Sequence, residues 1–126
     1  MKETPERHIS KYAAPALGIC TKIPQEEKSK LLKKIDEGGS FTKKQIQEFF
    51  PKAYEMMNAL SEGEEITLET SKEYWYKYHN TIAEHELCRV SFTTYRDQNL
   101  KIPSYLNLKE GDVIATHLGT IIEKLQ

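Results

Sequence analysis

The chain is poor in most features that signal a chemistry directly. It has two cysteines, one tryptophan and no long apolar run, and its 18 Lys plus Arg almost balance its 19 Asp plus Glu. Each shortage excludes something. A membrane-spanning helix needs about 18 or more apolar residues in succession, and no stretch comes near that. A formal net charge of -1 supplies no excess of positive charge for a phosphate backbone, so nucleic acid is not an expected partner. The opening Met1-Lys2-Glu3-Thr4-Pro5-Glu6-Arg7-His8 lacks the apolar segment of an export signal, which predicts a cytoplasmic protein whose Cys20 and Cys88 stay as thiols. There is no phosphate-cradling glycine loop, serine-nucleophile elbow, zincin motif or calcium loop. The enzyme classes that carry short motifs are therefore disfavoured.

What is present reads as helices followed by strands. Gln25 to Asp36 has acidic residues at its start and lysines at its end, as a helix dipole prefers, and Gly38-Gly39 stops it. Thr42 with Gln45 forms a capping-box pattern ahead of Ile46, Phe49 and Phe50, and Pro51 breaks that helix. Ala53, Met56, Met57 and Leu60 recur at helical spacing. After the polar linker Ser61 to Glu65, Thr70 with Glu73 predicts a third cap, opening a helix whose face runs Tyr74, Trp75, Tyr78 and Ile82. From Leu87 the period falls to two, with Val90 and Phe92 on one face and Ser91 and Thr93 on the other. A turn at Arg96 to Asn99 leads into a further strand-like stretch, Leu100, Ile102 and, past Pro103, Tyr105 and Leu106, and a turn at Lys109 to Asp112 then feeds short strands over Val113–Thr116 and Thr120–Leu125. The expected fold class is α+β: a helical region over 1–84, then a small β module over 85–126 forming a curled antiparallel sheet or partial barrel. Residues 1–11 are expected to be loosely held.

Few residues carry chemistry. His85-X-X-Cys88 has a spacing that chelates a soft or borderline metal where the backbone turns between the two, but a structural zinc site needs further ligands. Cys20 and His117 are the available ones, and iron or zinc the metals such a set would take. A plain reading stands beside this one: Cys88 a buried small hydrophobe, His85 a helix-end residue, and His117 a hydrogen-bond donor within its hairpin. Gly119, just past the strand that ends at His117, allows a sharp turn there. Asp112 is expected to bond amides of the turn that precedes it. Cys20 sits between Pro15 and Pro24 close to Lys22, a setting for a thiol of lowered pKa. Tyr74, Trp75 and Tyr78 either dock the helical region on the β module or line a groove for a ligand or protein partner.

The closing segment, with Gly111, Asp112, Val113, His117, Gly119, Ile122, Glu123, Lys124 and Leu125, resembles that of the small hydrogenase-maturation chaperones (the HypC/HupF family). Cys88-Arg89-Val90-Ser91-Phe92 falls where those proteins also have a strand. The resemblance implies a small β-barrel and a carrier of an iron-ligand intermediate to a hydrogenase subunit, acting through an amino-terminal cysteine and the histidine matched by His117. This chain departs from that pattern at Lys2, where the family has the cysteine; Cys20-Thr21-Lys22-Ile23-Pro24 is similar to the family's opening Cys-X-X-Ile-Pro but lies internally. The whole chain, through Tyr12-Ala13-Ala14-Pro15, Glu73-Tyr74-Trp75 and Cys88-Arg89-Val90, also resembles a prokaryotic family of unassigned activity in which a helical region precedes this module.

The expected function is a binding or assembly protein, an accessory in metalloenzyme maturation that engages a protein partner or itself. Two alternatives stay open: a metal carrier or metal-dependent enzyme using Cys20 and His117, and a structural or oligomerising protein without a ligand. The carrier reading requires His117 and Cys20 to lie close enough to share one ligand.

Overall fold

The computed structural model describes residues 3–17, 22–82, 89–96 and 100–125. Among the described residues six α-helices precede three strands: α1 (Pro5–Ala13), α2 (Gln25–Asp36), α3 (Lys43–Phe49), α4 (Pro51–Leu60), α5 (Leu68–Glu73), α6 (His79–Ile82), β1 (Val90–Thr94), β2 (Val113–His117) and β3 (Thr120–Lys124). The fold is α+β. Among the described residues the strands form one small antiparallel sheet in the order β1-β2-β3, as expected, and not a closed barrel. The stretch from Leu100 to Leu106, read from its alternation as more strand, is irregular; its one bridge to the sheet is parallel, from Lys101 to Thr120, ahead of Pro103. No helix among the described residues is long and apolar enough to cross a membrane.

Local chemistry accounts for the middle helices. Thr42 and Gln45 form the reciprocal capping box that opens α3. Pro51 ends α3 by forcing Phe50 out of helical geometry, then serves as the first residue of α4, where its missing amide hydrogen costs nothing. Ala53 and Met57 turn the inner face of α4 into the core. Gly39 closes α2 because a Cβ there would sit 2.8 Å from the Lys34 carbonyl oxygen. The cap of α5 lies three residues earlier than expected: Thr67, not Thr70, accepts the Thr70 amide. Thr70 instead turns its hydroxyl toward Thr67 and Ser61.

The amino-terminal segment departs most from expectation. It is not loose. Thr4 caps α1, Pro5 occupies its first turn, and His8, Ile9, Ser10, Lys11, Tyr12 and Ala13 are all buried. The Thr4-Pro5 pair is itself a helix-start signal, outweighed in the sequence by the charged residues around it. Ser10 fastens α1 to the next layer, its hydroxyl donating to Glu6 O at 2.6 Å and accepting from the Phe41 amide at 2.7 Å. Arg7 reaches across to the end of α2, donating to the carbonyls of Ile35 and Gly39, each at 2.7 Å.

Between α5 and α6 the helix widens into a π-helical stretch, Tyr74–Tyr78. Tyr74 and Trp75 are buried and Tyr76 is half-buried, so three successive aromatic side chains pack inward where a regular α-helix would fan them apart. The β2–β3 connection is a two-residue turn with positive φ at both Leu118 and Gly119, the hairpin geometry whose twist matches the strands. One hydrophobic core runs through helices and sheet alike, including Ile9, Tyr12, Phe41, Met57, Trp75, Val90, Ala115 and Ile122. Because α1 packs against both α5 and β3, removing residues 1–13 should abolish cooperative unfolding. Urea denaturation followed by Trp75 fluorescence checks this; a truncated chain retaining a sharp transition would show α1 to be dispensable.

Candidate functional site

Three clusters of polar groups surround the interface between helices and sheet. The first centres on Glu123 of β3. Its Oε2 accepts from the Tyr12 hydroxyl in a very short hydrogen bond and from Tyr76 OH at 2.8 Å, while Oε1 faces Lys11 Nζ at 3.3 Å. His8 Nε2 stands 3.4 Å from Oε2. Lys11 Nζ also meets Glu3 at 2.5 Å. Burial by itself would raise the Glu123 carboxyl; the hydrogen bond from His8, the Lys11 ammonium and the Tyr12 hydroxyl outweigh it and hold the group at about 2. Burial and the neighbouring carboxylate push the Tyr12 and Tyr76 hydroxyls upward, so both remain protonated donors.

Glu3, His8 and Glu123 have their ligand atoms within 4.8 Å of one another, which invites a metal reading. Lys11 argues against it, because its ammonium bridges Glu3 and Glu123 and already supplies the balancing positive charge. Ser71, His8 and Glu123 also have the residue types of a hydrolytic triad, with His8 Nδ1 at 2.7 Å from Ser71 Oγ. Both Ser71 and His8 are fully buried, so no substrate carbonyl reaches the hydroxyl. The cluster acts as a closed polar clasp joining α1, α5, the π-helical stretch and β3.

The second cluster holds the one sequence-predicted ligand that is described. His117 ends β2, is 3% exposed, and donates from Nδ1 to the Tyr12 carbonyl of α1 at 2.7 Å. Its hydrogen bond thus crosses to α1, not across the hairpin. His79 lies beside it with ring centroids 5.1 Å apart, and Trp75 approaches both rings. Burial first, then the neighbouring His117, lowers His79 to about 4. Asn80 sets the geometry here by pairing with the Val90 backbone in both directions at 2.8 Å, donating to its carbonyl and accepting from its amide. Val90 in turn pairs with His117 in the sheet. The Trp75 indole N–H is buried without an acceptor among the described residues. Cys20, His85 and Cys88 lie outside the described residues, and with them the expected approach of Cys20 to His117. Tyr74 and Trp75, read as candidate interaction residues, face the interior at 1% and 3% exposure: Trp75 stacks on Tyr12 at 5.5 Å, so the pair forms internal packing and no partner-facing surface. Tyr78 is half-buried. Asp112 accepts the Lys109 amide at 2.8 Å, the turn contact its position predicts.

The third feature was not legible in the sequence. A groove of about 590 Å3 runs between the end of α1, one face of α2, and the Lys101–Tyr105 segment beside β3. Its described lining contains four lysines and one aspartate, together with apolar residues that include Leu32 and Ile122. That aspartate, Asp36, is engaged: it accepts from the Ser104 amide and hydroxyl at 2.8 and 2.5 Å, bonds that lower its pKa. Tyr105 donates to the Ile122 carbonyl at 2.7 Å, and the Arg7 guanidinium lies 4.6 Å over its ring. These contacts fix the loop while Ile102, 45% exposed, projects into the groove. The volume is that of a small-ligand or peptide site. Only the segment's departure from strand pairing at Pro103 hinted at it.

Fold and site together define an α+β chain with a half-buried carboxylate clasp, a histidine pair of which His117 is buried, and a lysine-lined groove. No protein-family model, curated protein or solved structure matches it.

Two outcomes follow. Glu123→Gln removes the charge that Lys11 and His8 face and should cost about 3 kcal/mol in urea unfolding at neutral pH, with Lys11→Met in the same chain recovering part of the loss. An unchanged midpoint in Glu123→Gln would remove the clasp from the stability of the fold. His79 is accommodated neutral, so its contribution is complete above pH 6.5 and is lost as pH falls toward 4. After allowance for solvent screening this amounts to about 2 kcal/mol. Glu123 adds a second loss between pH 4.5 and about 2. Urea midpoints across this range should show both stages in the wild type, and the upper one should shrink in His79→Gln.

Proposed function

We propose that the chain is a binding or assembly protein that docks a protein partner in the groove between α1, α2 and the Lys101–Tyr105 segment, in the service of metalloenzyme maturation. The single observation that carries the docking is Ile102. Its aliphatic side chain is left 45% exposed beside the lysines of the groove, on a loop held by Asp36–Ser104, Tyr105–Ile122 and Arg7–Tyr105. Such preorganisation lowers the ordering cost of binding. The maturation role draws on the likeness of the closing segment to the hydrogenase-maturation chaperones.

A second reading, a metal carrier using His117 and Cys20 with iron or zinc as cargo, is favoured by the His117–Tyr12 hydrogen bond. A backbone carbonyl accepting from Nδ1 orients the ring as backbone carbonyls orient metal-binding histidines. The His79 ring beside it, depressed to about 4, is neutral at physiological pH and so of ligand type.

Anaerobic purification of untagged protein from its native host tests both. The expected result is a stoichiometric partner that co-purifies with the wild type and is lost with Ile102→Asp. Iron or zinc present in the wild type and absent from Cys20→Ala and His117→Ala would support the carrier reading. Protein without partner or metal would leave the structural role.

A further inference from the structure

We infer that the partner segment seated in this groove is an acidic, extended peptide stretch bearing an aliphatic side chain, an inference that rests on the docking role proposed above. Charge argues for the sign. Lys28, Lys33 and Lys101 line the groove and make no ion pair among the described residues, whereas Lys11, the fourth, is committed to Glu3 and Glu123. The one lining carboxylate, Asp36, has both oxygens bonded to Ser104. Against these three ammonium groups stands the single charge of Asp36, which Lys101 faces, so the lining keeps an excess of positive charge in a chain whose overall charge is -1. The positive charge is local, and it would steer and retain carboxylates.

Shape argues for a peptide. The groove is open to solvent, whereas sites for small molecules bury most of the ligand's surface. Leu32, Ile102 and Ile122 line it together with the lysines, so an occupant that meets both presents an aliphatic group and carboxylates. An extended chain does this with alternate side chains. A nucleic acid fits the lysines but leaves the aliphatic residues unused.

Titration of the isotopically labelled full chain with a short blocked peptide alternating Glu and Leu, followed by amide chemical shifts, tests the inference. Shifts should concentrate at Leu32, Ile102 and Ser104, and affinity should fall about tenfold in the Lys33→Glu, Lys101→Glu double variant and again at high salt. Both lysines are exposed, so the variant retains the fold, checked by its urea midpoint. The matching Lys-Leu peptide should give no such shifts. Absence of saturable binding, equal binding by the Lys-Leu peptide, or displacement of the Glu-Leu peptide by octanoate at equal concentration would overturn the inference, the last making the groove a small-anion site. A native partner that co-purifies equally with the wild type and the double variant but is lost with Ile102→Asp would overturn the acidic assignment and leave the docking role standing. Retention by Ile102→Asp as well would remove the groove from docking altogether.

Discussion

A carboxylate carried into the interface between a sheet and its covering helices is costly unless donors meet it, and Glu123 is met from several elements at once. Tyr12 and Lys11 arrive from α1, Tyr76 from the π-helical stretch, and His8, backed by Ser71, closes the cluster. Removing any one element would strand charge in a low-dielectric setting, where the penalty for an unpaired ion exceeds the net worth of the pair. The clasp therefore constrains where α1 and the aromatic helix sit on β3. Tyr12 shows the degree of coupling, since it bonds Glu123 through its hydroxyl, stacks on Trp75 through its ring, and accepts His117 through its carbonyl.

The groove follows from the same constraint. Once α1 is held on β3, α2 is placed by the Arg7 contacts at its carboxyl end, and the Lys101–Tyr105 segment must cross between α2 and the sheet edge. Pro103 cannot continue strand pairing, so the chain leaves β3 after a single bridge, and Asp36 and Tyr105 secure it at a distance. The resulting depression is lined with lysine from α1, α2 and the segment itself. Each of these lysines looks like an ordinary solvated residue on its own element; only their convergence gives the site its sign.

Elements governed by local chemistry were readable. The Thr42–Gln45 box, the break at Pro51 and the Leu118-Gly119 turn depend on neighbouring residues, and all three are where local rules put them. Readings failed where a distant contact overrode composition. The first eleven residues are rich in charge and look like a fraying terminus, yet His8 and Lys11 are buried because Glu123, far along the chain, receives them. The strand predicted beyond Leu100 yields to Pro103 and to the side-chain anchors from α2. His117 was legible as a distinctive residue at a strand end, but its bond to the Tyr12 carbonyl and its position beside His79 were not, since both require α1 and α6 to meet the sheet.

Local pattern and composition were enough for the α+β class, the extents of α2, α3 and α4, the closing hairpin and the lack of a nucleic-acid charge signature. These follow from periodicity, capping and net charge, which act over a few residues or over the whole composition. Tertiary structure alone decided that a charged amino-terminal segment would be core, that Tyr74 and Trp75 would face inward, and that lysines from separate elements would surround one groove. Those outcomes depend on pairing groups as far apart as His8 and Glu123, and no local pattern specifies which buried charge a distant partner will satisfy.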